Sequence, residues 1–127
     1  MKKTGILNGP LNGILGTLGH GHLVVIADVG MPLPDAPTVV DLALVKGIPS
    51  FTEVLRAVLT DVQIESSLLA SEASGSAVES IVRAEGLNPD YVSHEDLKSL
   101  LPSARLIIRT GEATPYANVV LRCGVTF

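Results

Sequence analysis

Aromatic residues are scarce, 3% of the 127 residues with no Trp, which leaves Ala, Val, Leu and Ile to fill the core and makes any single ring something to account for. Cysteine occurs once, at Cys123, so an internal disulfide is excluded; its place in an apolar run reads as a buried, inert thiol rather than a nucleophile. Basic charge is thin. Nine Lys and Arg are scattered among thirteen Asp and Glu, for a net charge of −4, and no basic stripe exists to hold a phosphate backbone; nucleic acid is not an expected partner. After Met1-Lys2-Lys3 the chain turns to Asn, Gly and Pro where the apolar run of a signal peptide would stand, so a cytoplasmic protein with no membrane partner is expected. The stretch Gly19-His20-Gly21-His22 lacks the glycine pattern of a dinucleotide fingerprint, and no Gly-Lys-Ser/Thr phosphate loop occurs, which argues against NAD and ATP. His20 and His22, even with Asp28, fall short of a recognisable ligand set, so neither a metal nor any other cofactor is expected.

What is present is a chain with 46% hydrophobic and 17% charged residues, the balance of an ordinary globular protein, long enough for one domain over residues 1–127. It shows no internal repeat, linker or low-complexity segment. Leu11, Ile14, Leu15 and Leu18 fall at i, i+3, i+4 and i+7, after Asn8 and Pro10 and before Gly19, and predict a short amphipathic helix. Gly13 and Gly16 each cost that helix about 1 kcal/mol against Ala, so close approach of a neighbour is the expected reason for them. Residues 23–29 form a continuous apolar run closed by Asp28 and Gly30, the pattern of a buried strand, and the three prolines of residues 30–37 make the next segment a loop. A second strand is expected over 39–45 with Asp41 inside it. Ser50 and Glu53 have capping-box spacing ahead of a helix that buries Phe51, Val54, Leu55, Val58 and Leu59. Further along, 62–69 reads as a strand and 76–85 as a helix burying Ala77, Val78, Ile81 and Val82 until Gly86 stops it. Residues 91–92 read as a short strand. Ser93 and Asp96 cap a helix running to Leu100 that Pro102 ends, and 106–109 and 118–123 are the last strands, on either side of a loop over 110–117. Strands alternating with helices predict an α/β protein of three layers, with a mixed central sheet covered on both faces.

Strand-to-loop junctions of such sheets gather chemistry, and three polar groups stand near them: His20 with Asp28, His94, and the segment Tyr116-Ala117-Asn118. Each has two readings. His20, just past the expected helix stop at Gly19, fits a surface histidine at a helix C-terminus; the same location favours the protonated form that an acid catalyst needs. Asp28 in an apolar run is costly without partners, whether it caps the next turn or serves a site. His94, in the first turn of a helix, is either solvated or a ligand-binding group. Turn chemistry alone accounts for Asn118 beside Tyr116.

Several separated motifs then occur in a shared order: Gly5-Ile6-Leu7-Asn8, Leu18-Gly19-His20, Asp28-Val29-Gly30-Met31-Pro32-Leu33-Pro34, the run Arg109-Thr110-Gly111-Glu112-Ala113-Thr114-Pro115-Tyr116-Ala117-Asn118, and Gly124-Val125-Thr126-Phe127. Together they resemble the D-ribose pyranase family over nearly the whole chain, least so around residues 70–90. The resemblance implies a cofactor-free isomerase that interconverts pyranose and furanose ribose, with His20 as proton donor and Asp28, His94, Tyr116, Ala117 and Asn118 contacting the sugar. It also implies a ring-shaped homodecamer with sites at subunit contacts. One departure stands out: the family commonly has Thr-Asp or Gly-Asp after Gly-His, whereas here Gly21 is followed by His22.

So small a set of groups suits the chemistry. Opening a hemiacetal needs a proton delivered to the ring oxygen and another withdrawn from the anomeric hydroxyl, and closing on a different hydroxyl repeats the exchange. Acid–base catalysis supplies roughly 10²- to 10⁴-fold, on the order of 3 to 5 kcal/mol, adequate for a reaction that already proceeds slowly in water. In this scheme His20 is the acid, Asp28 orients it or holds a hydroxyl, and His94, Tyr116 and Asn118 fix the sugar. Two competing readings use the same polar lining: the related fucose mutarotase, which shares the Gly-His and Tyr-x-Asn signatures, and a non-catalytic sugar-binding partner of a transporter or regulator. The Asp28-to-Pro34 loop and Thr114-Pro115-Tyr116-Ala117-Asn118 favour the ribose branch.

Overall fold

The computed structural model describes residues 1–35 and 37–127; Ala36, in the proline loop expected over 30–37, lies outside the described residues. The elements in chain order are α1 (Gly9–Leu15), β1 (Leu23–Ala27), β2 (Thr38–Asp41), α2 (Phe51–Asp61), β3 (Ile64–Ala70), α3 (Ala77–Ala84), β4 (Asp90–Val92), α4 (His94–Leu100), β5 (Leu106–Arg109) and β6 (Val119–Cys123), with 3₁₀ turns at Ser71–Ala73 and Leu101–Ser103. The six strands form one mixed sheet in the order β2-β5-β1-β6-β3-β4. Strand β5 runs parallel to β1 and β2, β3 runs parallel to β4, and β6 lies antiparallel between β1 and β3. The start of β6 therefore stands beside the end of β1, and its last residues stand beside the start of β1 and β3.

Strand β1 is apolar throughout because both faces of the sheet are covered. Val24 and Ile26 join Leu106, Ile108, Val119 and Leu121 on one face, packed against Leu11 of α1, Phe51, Leu55 and Val58 of α2, and Val78 and Val82 of α3. Val25 and Ala27 join Ile107 and Val120 on the other, under Leu97 of α4, Leu101 and Met31 of the proline loop. Each fully buried side chain of this size contributes about 1.5 to 3 kcal/mol, and Phe51 and Leu55 of α2 are completely enclosed. The expected capping box opens α2: Ser50 Oγ accepts from Glu53 N at 3.2 Å while Glu53 Oε2 accepts from Ser50 N at 2.8 Å.

Several expectations are corrected. Helix α1 ends at Leu15 with Gly16 as its C-cap, and nothing would lie within 4 Å of a side chain at Gly13, so close approach does not explain that glycine. Strand β1 stops at Ala27 because the Asp28 amide turns to a side chain, Oδ1 of Asn118, at 2.8 Å. Strand β2 ends at Asp41 rather than running to residue 45: Leu44 N bonds back to Ile48 O across a turn in which Gly47 has φ 89°, leaving Leu44, Val45 and Ile48 exposed. Strand β3 begins later than expected, since α2 runs to Asp61 and an irregular register separates Ile64 from Ser66. On α3, Val78 and Val82 are buried but Ala77, in the first turn, is exposed. Helix α4 ends at Leu100 as expected, and Pro102 sits inside the 3₁₀ turn that follows. Gly111 has a clear steric reason: a Cβ there would come within 2.4 Å of the Ile48 carbonyl oxygen.

Candidate active site

Asp28 follows the last residue of β1 and Asn118 precedes the first of β6, so the antiparallel pairing sets them side by side. Asn118 is fully buried. Its Oδ1 accepts from the Asp28 amide at 2.8 Å, and its Nδ2 donates to Asp28 Oδ2 at 2.8 Å. Asp28 Oδ1 accepts from Gly30 N at 2.9 Å. Both carboxylate oxygens thus have donors, which meets the cost of setting a charge at the end of an apolar strand. The same strand end carries supports that sequence reasoning missed. Buried Thr110 donates to Ala27 O at 2.8 Å and accepts from Glu112 N at 3.1 Å. Glu112 Oε1 accepts from Phe51 N at 3.1 Å, at the start of α2. Arg109 donates to Val29 O at 2.9 Å and pairs with Asp41 at 3.0 Å, tying the loop after β1 to β2.

His94 reaches this end from the start of α4, where its amide donates to Glu72 Oε2 at 2.8 Å. Its ring is half-buried rather than solvated and stands edge-on to Tyr116, with centroids 5.1 Å apart and planes at 78°. His94 Nδ1 is buried without a hydrogen-bond partner among the described residues. Tyr116 has φ 61°, a left-handed conformation rare for a bulky residue, and Asn118 N donates to its carbonyl at 2.8 Å. That strained turn projects the phenol outward, 37% exposed, while Ala117 packs into the core. A hollow of about 160 Å³ beside the site is lined by Asp28, Gly30, Glu112 and Thr114. The structure thus makes two contacts among the expected residues, Asp28 with Asn118 and His94 with Tyr116, with the turn from Tyr116 to Asn118 between them and Ala117 facing the core.

His20 does not join them. It precedes β1 while Asp28 follows it, and five strand residues at about 3.3 Å each put a strand roughly 17 Å long between them. Asp28 cannot orient the His20 of its own chain. The helix-end reading of His20 also fails, since α1 has ended at Leu15. What His20 meets instead is Glu65 of β3: Nε2 lies 2.9 Å from Oε2, and Glu65 Oε1 accepts from Arg122 Nε of β6 at 2.8 Å. The hydrogen bond from His20 holds the Glu65 carboxyl below its ordinary range, outweighing the desolvation that opposes it, and Arg122 adds to the lowering. His22 Nδ1 accepts from Gly19 N at 2.9 Å, closing the turn that presents His20. Cys123 lies beneath, buried as expected, and burial pushes its thiol up, as does the Glu65 charge. A charged Arg122 inside an otherwise apolar strand was a visible signal for this second cluster. Glu65 carried none.

Comparison with known proteins gives a consistent picture. The profile of the RbsD / FucU transport protein family matches residues 1–126. The chain is 52% identical to the D-ribose pyranase of Streptomyces coelicolor over 129 residues, covering all of both proteins, and 48% identical to that of Geobacillus kaustophilus, covering all of this chain and 96% of the relative. Among solved structures it is similar to Bacillus subtilis RbsD complexed with D-ribose, with TM-score 0.93, 40% identity and full coverage of both chains. The fucose mutarotase of Streptococcus pneumoniae in complex with L-fucose, at TM-score 0.78, 23% identity and 95% of each chain, shares the fold.

Proposed function

The chain belongs to the RbsD / FucU transport protein family, and from that membership we infer that it is a cofactor-free D-ribose pyranase, an isomerase interconverting the pyranose and furanose forms of D-ribose. The observation that carries this is identity of about half the residues to D-ribose pyranases along the whole chain. The local geometry suits it. His94 Nδ1 is a buried nitrogen awaiting a hydroxyl, Asp28 is a fixed carboxylate, and Tyr116 offers a phenol and a ring face beside them. In this reading Asp28, His94, Tyr116, Ala117 and Asn118 hold the sugar, and His20 supplies the proton to the ring oxygen. NMR exchange spectroscopy of equilibrium ribose tests it: catalytic amounts should speed pyranose–furanose exchange, and line broadening without faster exchange would leave only a binder.

Because the sugar-holding groups and His20 lie at opposite ends of β1, the reading requires His20 of one subunit to face Asp28 of another, which supports a closed homo-oligomer with shared sites, a decamer being the form the resemblance implies. Co-assembling His20→Ala chains with Asp28→Asn chains, each inactive alone, should restore measurable exchange; no recovery in verified mixed assemblies would refute the shared site. We take residues 1–127 as one domain and place the protein in the cytoplasm. The single buried thiol supports that address, and no described helix is long and apolar enough to cross a membrane.

A further inference from the structure

We propose that Glu65, held by Arg122, is the positioning residue of the proton donor: it fixes the His20 ring through Nε2 and so assigns the delivery of the proton to Nδ1. The inference rests on His20 being the acid. It is carried by the geometry of three residues from different parts of the chain, His20 in the loop before β1, Glu65 near the start of β3 and Arg122 near the end of β6. Glu65 enters from β3 and Arg122 from β6, and their cross-strand neighbourhood is set by the antiparallel register that pairs Ser66 with Arg122. Each Glu65 oxygen has one donor, His20 Nε2 on Oε2 at 2.9 Å and Arg122 Nε on Oε1 at 2.8 Å. Arg122 thus sets the plane of the carboxylate, and the carboxylate sets the plane of the imidazole.

The remaining ring nitrogen, Nδ1, has no partner among the described residues. His20 sits in a short loop closed by two bonds, Gly21 N to Cys123 O at 2.8 Å and Gly19 N to His22 Nδ1 at 2.9 Å, so its backbone is fixed and the ring torsions are what Glu65 must hold. An acid works only if the reacting proton points at its acceptor, and an orienting acceptor on the far nitrogen is the economical way to achieve that. With Nε2–H committed to Glu65, the imidazolium gives up its Nδ1 proton to the ring oxygen, and the neutral ring left behind is the Nε2–H tautomer that Glu65 favours. When the ring oxygen has become a hydroxyl and the chain closes on its neighbour, the same nitrogen takes a proton back from the hydroxyl that attacks. As the ring opens, the anomeric hydroxyl gives its proton to solvent water and becomes the carbonyl; as it closes, water returns a proton to that oxygen, so with water as the second proton carrier atoms and charge balance over the cycle.

The test is a set of three variants in the assembled protein: Glu65→Ala, Glu65→Gln and His20→Ala. Glu65→Ala should slow exchange about tenfold or more with ribose affinity unchanged, because the groups that hold the sugar lie at the other end of the sheet. Glu65→Gln keeps an acceptor for Nε2–H and should recover most of the lost rate. Long-range ¹H–¹⁵N spectra of the neutral His20 ring should show the Nε2–H tautomer in the wild type and the Gln variant, and a mixture in Glu65→Ala. Wild-type exchange in Glu65→Ala, with His20→Ala inactive, overturns the positioning role alone. Wild-type exchange in His20→Ala overturns the acid assignment beneath it. An Nδ1–H tautomer in the wild type would reverse the nitrogen assignment and sink the proposal.

Discussion

The two ends of β1 are built by different means. At the end where β1 stops, Asn118 is fully buried, Asp28 is half-buried, and each is tied to the other by two bonds of 2.8 Å that lock a strand terminus to a neighbouring strand. At the end where β1 begins, His20, Glu65 and Arg122 are exposed, with 58%, 38% and 55% of their side chains open to solvent, and charge rather than burial holds them. A buried network is costly to disturb and keeps its geometry unaided. An exposed ion pair contributes little to stability, so its presence beside a candidate acid points to orientation rather than to holding the fold. In the proposed reading the first end receives the sugar and the second is presented to a neighbouring subunit.

The largest expected effect sharpens that contrast. His20→Ala should slow ribose exchange roughly 10²-fold or more while shifting stability by less than about 0.5 kcal/mol, since the side chain is exposed and its partner retains Arg122. Ribose affinity, measured by titration, should survive. A folded, assembled variant with normal exchange would remove His20 from the reaction. Next in size, Asn118→Ala should cost about 1 to 3 kcal/mol of stability, because it strips an acceptor from the Asp28 amide and a donor from its carboxylate inside a buried region. Ribose affinity should fall with it. Denaturant titration reads the first and calorimetry the second; an unchanged midpoint would show that the receiving end is not the rigid one.

A smaller effect separates the ends by pH. The Glu65 carboxyl is held below its ordinary value of 4.5 by His20 and then Arg122, so the unfolded chain binds its proton more readily than the folded one. Its stabilisation is complete above that ordinary value and is lost as pH falls through the lower folded one. Glu53, held down by Ser50, Glu79, held down by Tyr91, and Glu95, held down by Lys98, have the same sign. Thermal midpoints should therefore decline in that acid window, and Glu65→Gln should flatten part of the decline. A wild-type midpoint that rises as pH drops there would contradict the sign.

Much of this was legible in the chain itself, and the failures have physical causes. The α2 start was readable because a capping box is local, and β1, β5 and β6 were readable because burial on both faces writes itself as continuous apolar runs. The end of β2 and the start of β6 were not, since β2 stops at a turn closed by Leu44 N on Ile48 O, and Asn118, just ahead of β6, turns to Asp28 in a tertiary contact that no local pattern encodes. The grouping of His20 with Asp28 was the consequential error. A five-residue strand between them forbids their meeting in one chain, and that separation could have been inferred from the apolar run alone. Glu65 was invisible because its link to His20 depends on the β3–β6 register. Asp28 and Asn118 were legible as polar groups at the ends of apolar strands that need partners, and each is the other's partner, whereas the contact of His94 with Tyr116 is tertiary and no local pattern encodes it.

The smallest effect concerns His22, the position where an acidic residue is more usual in the resembling family. Its Nδ1 accepts the Gly19 amide at 2.9 Å, and that bond closes the turn from which His20 projects. A carboxylate at the same position accepts an amide proton equally well, as Asp does in turns generally, so the departure preserves the hydrogen bond this side chain makes among the described residues. His22→Asp should therefore assemble normally, with stability within about 0.5 kcal/mol and exchange close to wild type. His22→Ala removes the acceptor and frees the Gly19 amide to solvent; it should loosen the His20 loop and slow exchange a few-fold, on the order of a single exposed hydrogen bond. The measurement is exchange rate for the three proteins, with assembly checked in each. Wild-type exchange in His22→Ala would show that the His22 bond does not position the loop, and greater loss in His22→Ala than in His20→Ala would move the acid two residues along the chain.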